Sequence, residues 1–161
     1  MSEEICYSPI GTIHSPFDDE EGMPIQGGFS EASGRIEIDE EYADGLADLD
    51  GFSHVIVLYH FHRSEGYELR PRPYMDDSRR GVFATRAPRR PNSIGLSVVE
   101  LDGISETTVS VEGIDVLDGT PVLDLKPFVP EFNGVDEARI GWLEETIENE
   151  KRRRADDRFL G

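Results

Sequence analysis

Lysine is nearly missing from this chain: only Lys126 and Lys151 occur, against 14 arginines. Cysteine is rarer still. Cys6 stands alone, so no disulfide can form within the chain. That fits a reducing compartment and a fold without staples, with Cys6 expected as a small buried residue of a first strand. No apolar run approaches the roughly 18 residues of a membrane-spanning helix. The Met1-Ser2-Glu3-Glu4 start is acidic, whereas a secretory signal needs a basic start followed by an apolar stretch. These gaps lead us to expect an unprocessed, cytoplasmic protein. No internal repeat or long low-complexity tract is visible. No G-x-G-x-x-G follows a predicted strand either, so a Rossmann-type cofactor site is not visible.

Negative charge, by contrast, is abundant. Thirty-four acidic residues face 16 basic ones, for a formal net charge of −18. An acidic surface almost free of lysine suits a protein dissolved in multimolar salt, where a Debye length of about 3 Å at 1 M screens self-repulsion. A salt-loving host is the expectation. Such a charge argues against generic nucleic-acid binding, so an RNA partner has to meet a local basic patch. The length of 161 residues suits one domain, and a hydrophobic share of 37% suffices for one core.

The hydrophobic pattern is that of short strands. Residues 7–14 read as a first strand, ended by Ser15-Pro16, and 18–28 as a loop through Pro24, Gly27 and Gly28. Residues 34–38 alternate as a strand, 40–48 suit one or two helical turns, and 52–61 form a buried strand. A polar loop with Pro71 and Pro73 follows. Strands are expected again over 81–85, 94–101, 107–115 and 121–125, with Asp118-Gly119 as a hairpin turn signal. From Asp136 the pattern changes: Val135, Ala138, Arg139, Trp142, Leu143, Thr146 and Ile147 share one helical face, which predicts a terminal helix of roughly 15–20 residues. It ends in Lys151-Arg152-Arg153-Arg154, which suits the negative end of a helix dipole. The expected fold is mainly β: a small closed or nearly closed barrel over residues 1–134. A C-terminal helix and basic tail, 135–161, is expected to pack on the same domain, and short helices to occupy the loops.

One segment departs from the acidic background. Five of the 14 arginines lie within residues 79–97, and no acid interrupts them. Pro88 and Pro91 stiffen the loop, and guanidinium forks match phosphate and carboxylate oxygens. A surface strip of salt bridges to nearby acids is the plainer reading. The run Arg80-Gly-Val-Phe-Ala-Thr-Arg86, then Arg90-Pro-Asn, then Ile94-Gly-Leu-Ser97 resembles the signature of the TsaA-like family. Ile10-Gly-Thr-Ile-His-Ser-Pro16, Gly51-Phe-Ser-His54 with His62, and Asp115-Val-Leu-Asp-Gly-Thr-Pro121 running on to Phe128 resemble three further family segments in the same order. Arg89 and Ser93 stand where the family often has Phe and Pro.

The resemblance implies a small β-barrel methyltransferase, a homodimer using S-adenosyl-L-methionine to methylate threonylcarbamoyladenosine beside the anticodon of tRNA. It implies cofactor contacts at Gln26, Gly27, Gly28, His62, Arg63, Arg86, Leu96, Glu112, Gly113, Ile114 and Asp115. Arg86 would clamp a carboxylate, and backbone groups of 112–115 would meet an adenine edge. Without the family, Gly27-Gly28 reads as a flexible turn. Asp118, Asp115 and His62 are the possible bases, with turn-capping the ordinary role for Asp118. Arg89 and Arg90, together with Arg152–Arg154, are the candidates for RNA phosphates.

His60, His62 and Glu65 form H-x-H-x-x-E, and two histidines at that spacing in a strand share a face. All four histidines lie in the first 62 residues, so a cupin-like metal site lacks its later ligand and no metal is expected. Three alternatives stay open beside the tRNA enzyme. They are a non-catalytic RNA- or nucleotide-binding barrel, a metal-dependent barrel enzyme, and a methyltransferase acting on another substrate.

Overall fold

Valine and isoleucine dominate the interior: the ten largest fully buried side chains are all one or the other. Branching at Cβ favours the pleated conformation, and alternation then sends every second side chain inward. The computed structural model describes residues 3–18, 31–73 and 76–148. Six strands form within them: β1 Gly11–His14, β2 Ser33–Ile38, β3 His54–His60, β4 Ile94–Ser105, β5 Thr108–Glu112 and β6 Thr120–Pro127. Each neighbouring pair is antiparallel, and the sheet closes into a barrel in the order β1-β2-β5-β4-β3-β6. Val55, Val57 and Tyr59 of β3 point in with Val99 of β4, Val109 and Val111 of β5, and Val122 of β6. Register shifts at Leu58/Tyr59 and Leu101/Gly103 mark irregularities of the kind that help a sheet curve shut.

Two connections cross the barrel from wall to opposite wall. In the ring β2 and β3 stand three places apart, and so do β5 and β6. The β2–β3 connection runs under one end through short 3-10 helices, Glu40–Leu46 and Leu49–Gly51, and buries Leu46 and Leu49 there. The β5–β6 connection, residues 113–119, straps the other end and sinks Ile114 and Val116 into it at 0% and 3% exposure. Gly34 makes room for this strap, since a Cβ there would lie 3.1 Å from Ile114 Cγ2. The barrel is therefore solid, plugged by leucines below and by the strap above. The register places His14, Ser33, His60, Ile94, Glu112 and Thr120 at the strapped end. Three connections, 15–32, 61–93 and 113–119, leave from it. We call this end the mouth.

Several expected boundaries shift, each for a local reason. The first strand starts at Gly11 rather than residue 7, because Pro9 has no N–H for a ladder, and Tyr7 is exposed. Cys6 precedes it and is exposed rather than buried. Residues 81–85 are no strand: Val82–Ala84 is a 3-10 turn, closed by the Thr85 N–H and Oγ1 both donating to the Val82 carbonyl. Asp118-Gly119 does turn, with Gly119 at φ +84°, but it joins opposite walls and closes no hairpin. The terminal helix does not begin at Asp136. Glu137 and Gly141 both take φ +57°, which no right-handed helix accepts, and the described helical residues are 143–148. A short helix, α1 (Pro130–Asn133), precedes them.

Candidate active site

The mouth gathers most of the residues singled out in the sequence. His62 and Arg63 lie on the turn that follows β3, Arg86, Arg89 and Arg90 lie farther along the 61–93 connection, and Gly113, Ile114, Asp115 and Asp118 form the strap. Arg63 Nη1 donates to the Asp18 carbonyl, tying the first long connection to the second. Gln26, Gly27, Gly28 and Arg152–Arg154 fall outside the described residues.

Under the strap, a file of polar groups runs through the barrel wall. Ser97 Oγ donates to Asp115 Oδ1 at 2.6 Å, and Tyr59 Oη lies 3.0 Å from the same Ser97 Oγ. Tyr59 and Ser97 are both nearly inaccessible, at 5% and 3% exposure. Burial first, and the Asp115 charge second, push the Tyr59 phenol well above its ordinary range. The Ser97 hydrogen bond and the charge of Arg86 act the other way, which places Arg86 within electrostatic reach of the phenol. Gly95 makes the arrangement possible. A Cβ there would lie 2.6 Å from Tyr59 Cζ and 2.8 Å from Phe61 Cζ, and those two rings meet edge to face at 5.4 Å.

The arginine loop is folded largely on its own contacts. Arg90 Nη1 donates to the Thr85 and Ala87 carbonyls at 2.9 and 3.1 Å, so Arg90 shapes the loop from within. Glu68 bridges Arg89 and Arg79, at 3.3 and 3.8 Å. Arg80 Nε donates to Asp76 Oδ2 at 2.7 Å and holds that carboxyl below the usual carboxylate range. The salt-bridge strip is thus present among the described residues. Trp142 closes the loop from outside: its Nε1 donates to the Ala84 carbonyl at 2.8 Å, and the Arg80 guanidinium lies over its ring.

The three candidate bases fall into different settings. Asp118 Oδ1 accepts the Ser15 N–H at 3.1 Å and sits 3.6 Å from His14 Nδ1, so it ties the strap to the end of β1. Asp115 ends the buried file. Desolvation, then the charges of Arg63 and His60, lower the His62 pKa, which leaves a neutral imidazole at pH 7. His62 belongs to a turn, because β3 stops at His60, so the two histidines do not share a strand face. His60, His62 and Glu65 form no three-residue metal cluster among the described residues.

Two expected contacts stand away from the strap's inner side. Leu96 points outward from β4, 42% exposed, while its neighbours Gly95 and Ser97 point in. Glu112 also faces outward and accepts Ser33 Oγ through both carboxylate oxygens, at 2.8 and 2.7 Å. The backbone N–H groups of Gly113 and Ile114 both donate to the Ala32 carbonyl, so neither is a spare donor for an adenine edge. Sequence reasoning missed Tyr59, Ser97 and Ser64. The signal for Ser97 was a hydroxyl inside an apolar run, at the same parity as Gly95 and Val99. Ser64 Oγ, on the turn beside His62 and Arg63, is the buried side-chain polar atom left without a partner among the described residues, and no sequence pattern marks it.

Comparison with known proteins bears on what this mouth is for. Residues 12–134 match the model of the tRNA-methyltransferase O N-terminal domain. A Pyrococcus abyssi protein named "probable S-adenosyl-L-methionine-binding protein" is 47% identical over 157 residues, covering 97% of this chain and 85% of its own length. The tRNA (adenine(37)-N6)-methyltransferase of Escherichia coli K12 is 34% identical over 149 residues, covering 86% of this chain but 63% of the bacterial one. The crystal structure of TrmO from Pseudomonas aeruginosa superposes with a TM-score of 0.74 at 41% identity, over 86% of this chain and 62% of that one. The matched domain model spans most of β1 to β6, and the solved Pseudomonas aeruginosa structure shares the fold that carries the mouth. On that footing the chain belongs to the tRNA-methyltransferase O N-terminal domain family.

Proposed function

We propose that this chain uses S-adenosyl-L-methionine to methylate N6 of a tRNA adenosine, and that the acceptor is threonylcarbamoyladenosine beside the anticodon. The observation that carries this reading is the convergence of Arg86, Asp115 and His62 on one strapped end of a solid barrel. The names of the relatives point to the same donor and to N6 of a tRNA adenine as acceptor, and the threonylcarbamoyl group is our extension of that reading. The residues suit a cationic nucleoside that carries a carboxylate. Asp115 supplies negative charge and Arg86 a planar fork, and Ser64, on the turn that carries His62, adds a buried hydroxyl with no partner among the described residues.

The donor, when bound, supplies a methyl group already activated on a sulfonium, so the protein's share is orientation and removal of a proton. Arg86 binds the carboxylate end and Asp115 fixes the nucleoside end. Ile114 and Val116 seal the floor against water from the barrel side. His62, neutral at pH 7 and exposed at the mouth, takes the acceptor's proton. Arg89, 54% exposed, is the proposed phosphate contact, and Arg90 acts with it by holding the loop. We also take the working unit to be a homodimer. Ile94 and Leu96, adjacent on the outer face of β4 and both more than two-fifths exposed, supply apolar surface for it.

The test is labelled S-adenosyl-L-methionine with threonylcarbamoylated tRNA. Methyl transfer to that tRNA and not to the unmodified one is expected. Binding of tRNA without transfer would move the chain to the non-catalytic reading. Arg86→Ala is expected to weaken donor binding by about 1–3 kcal/mol, the cost of stranding a charged partner. Calorimetric titration reads this directly, and unchanged affinity would remove Arg86 from the site.

A further inference from the structure

The file Tyr59–Ser97–Asp115 has a direction. Ser97 has one hydroxyl proton and gives it to Asp115 Oδ1. It therefore has none left for Tyr59, so the phenol donates to Ser97 Oγ across their 3.0 Å contact. The phenol, pushed up by its burial, keeps its proton throughout the physiological range. Each donated bond makes the next oxygen's own proton a better donor. The file ends on a carboxylate in the strap, at the mouth. Its first two members belong to β3 and β4, paired strands in the rigid wall. The strap itself is a turn-rich segment with few ladder bonds. A carboxylate offers about four lone-pair sites, and the bond from Ser97 occupies one of them while fixing the group from the wall side.

We propose that Tyr59 and Ser97 are positioning residues, a one-way hydrogen-bond file that fixes the Asp115 carboxylate at the mouth as an acceptor for the hydroxyl or amino donors of a bound nucleoside. The wall sets the position of the strap's acid through these two side chains. This deepens the reading of the mouth as a methyl-donor site and rests on it for the identity of the ligand.

The experiment is a cycle of Tyr59→Phe and Ser97→Ala in the full chain, with Asp115→Asn as the reference and thermal melts as the check of folding. The first readout needs no ligand: the Asp115 carboxyl carbon resonance at pH 7. Tyr59→Phe is expected to move it when Ser97 is present and to leave it unmoved in the Ser97→Ala background. The second readout is the dissociation constant for S-adenosyl-L-methionine. Tyr59→Phe is expected to raise it roughly 2–10-fold, the size of one net hydrogen bond. Ser97→Ala should raise it further, and the double variant should match Ser97→Ala alone. A residue that only fills the core would give independent, additive effects on the two readouts. Additive shifts, or an Asp115 resonance indifferent to Tyr59, overturn the file. If the resonance behaves as expected but Asp115→Asn binds the donor as well as the unaltered chain does, the file stands as structure and the assignment of its ligand falls. Failure of the unaltered chain to bind the donor would instead overturn the reading of the mouth, a result that the resonance cycle keeps separate.

Discussion

At the scale of the residue, Gly95 is the sharpest case. Its inward face is occupied by the Tyr59 and Phe61 rings, so even a methyl group has to displace an aromatic wall. Gly95→Ala is expected to destabilise the fold by about 1–3 kcal/mol through overpacking, read as a lower denaturant midpoint with an unchanged slope. His62 gives a second test, and its sign is fixed. Its folded pKa is depressed, so the unfolded chain binds the proton first. The associated stability is present above the unfolded value near 6.5 and is lost as pH falls through the folded one. Urea midpoints between pH 5 and 8 should therefore fall toward acid, and His62→Gln should flatten that part of the slope. Much of the residue-level picture was legible in the Arg80–Ser97 motif, but not the division of labour within it. Which guanidinium is spent on carbonyls, as Arg90 is, depends on where a turn folds back, and Val82–Ala84 turns where alternation suggested a strand.

At the scale of the element, the strap matters most. Ile114 is fully buried at the end of the barrel and fits against Gly34. Ile114→Ala is expected to cost about 2–5 kcal/mol by the usual cavity penalty. It should also raise amide exchange across 113–119 before the walls open, as native-state hydrogen exchange would show. The strands themselves were readable from β-branched alternation, and β2, β3 and β6 fall close to their expected bounds. The strap was not. Asp118-Gly119 announces a reversal, but local chemistry carries no record of which strand receives the chain afterwards, and here the chain crosses to the opposite wall. The start of the C-terminal helix was misplaced for a similar reason, since helix begins at 143 rather than at Asp136. Its apolar face is periodic in sequence, yet Trp142 is drawn onto the Ala84 carbonyl, and the left-handed residues 137 and 141 bend the chain toward it.

At the scale of the whole molecule, charge sets the expectation. A net charge of −18 on 161 residues is a large self-repulsion at low ionic strength. Raising KCl from 0.1 to 1 M shortens the Debye length from about 10 to about 3 Å, so thermal stability is expected to climb with salt; equal melting temperatures would remove the salt-loving reading. The same salt weakens phosphate contacts, so RNA affinity is expected to drop over that range. Barrel closure was foreseen from strand number and spacing, whereas the ring order is a global property that no window of residues encodes. Closure also governs how this protein meets others. Every described strand already spends its ladder on two neighbours, so no margin of the sheet stays open to recruit a foreign strand. A partner therefore cannot join by adding a strand to the described barrel, and partner choice can be rewritten by substitutions in loops and on the surface that leave the backbone of the barrel untouched.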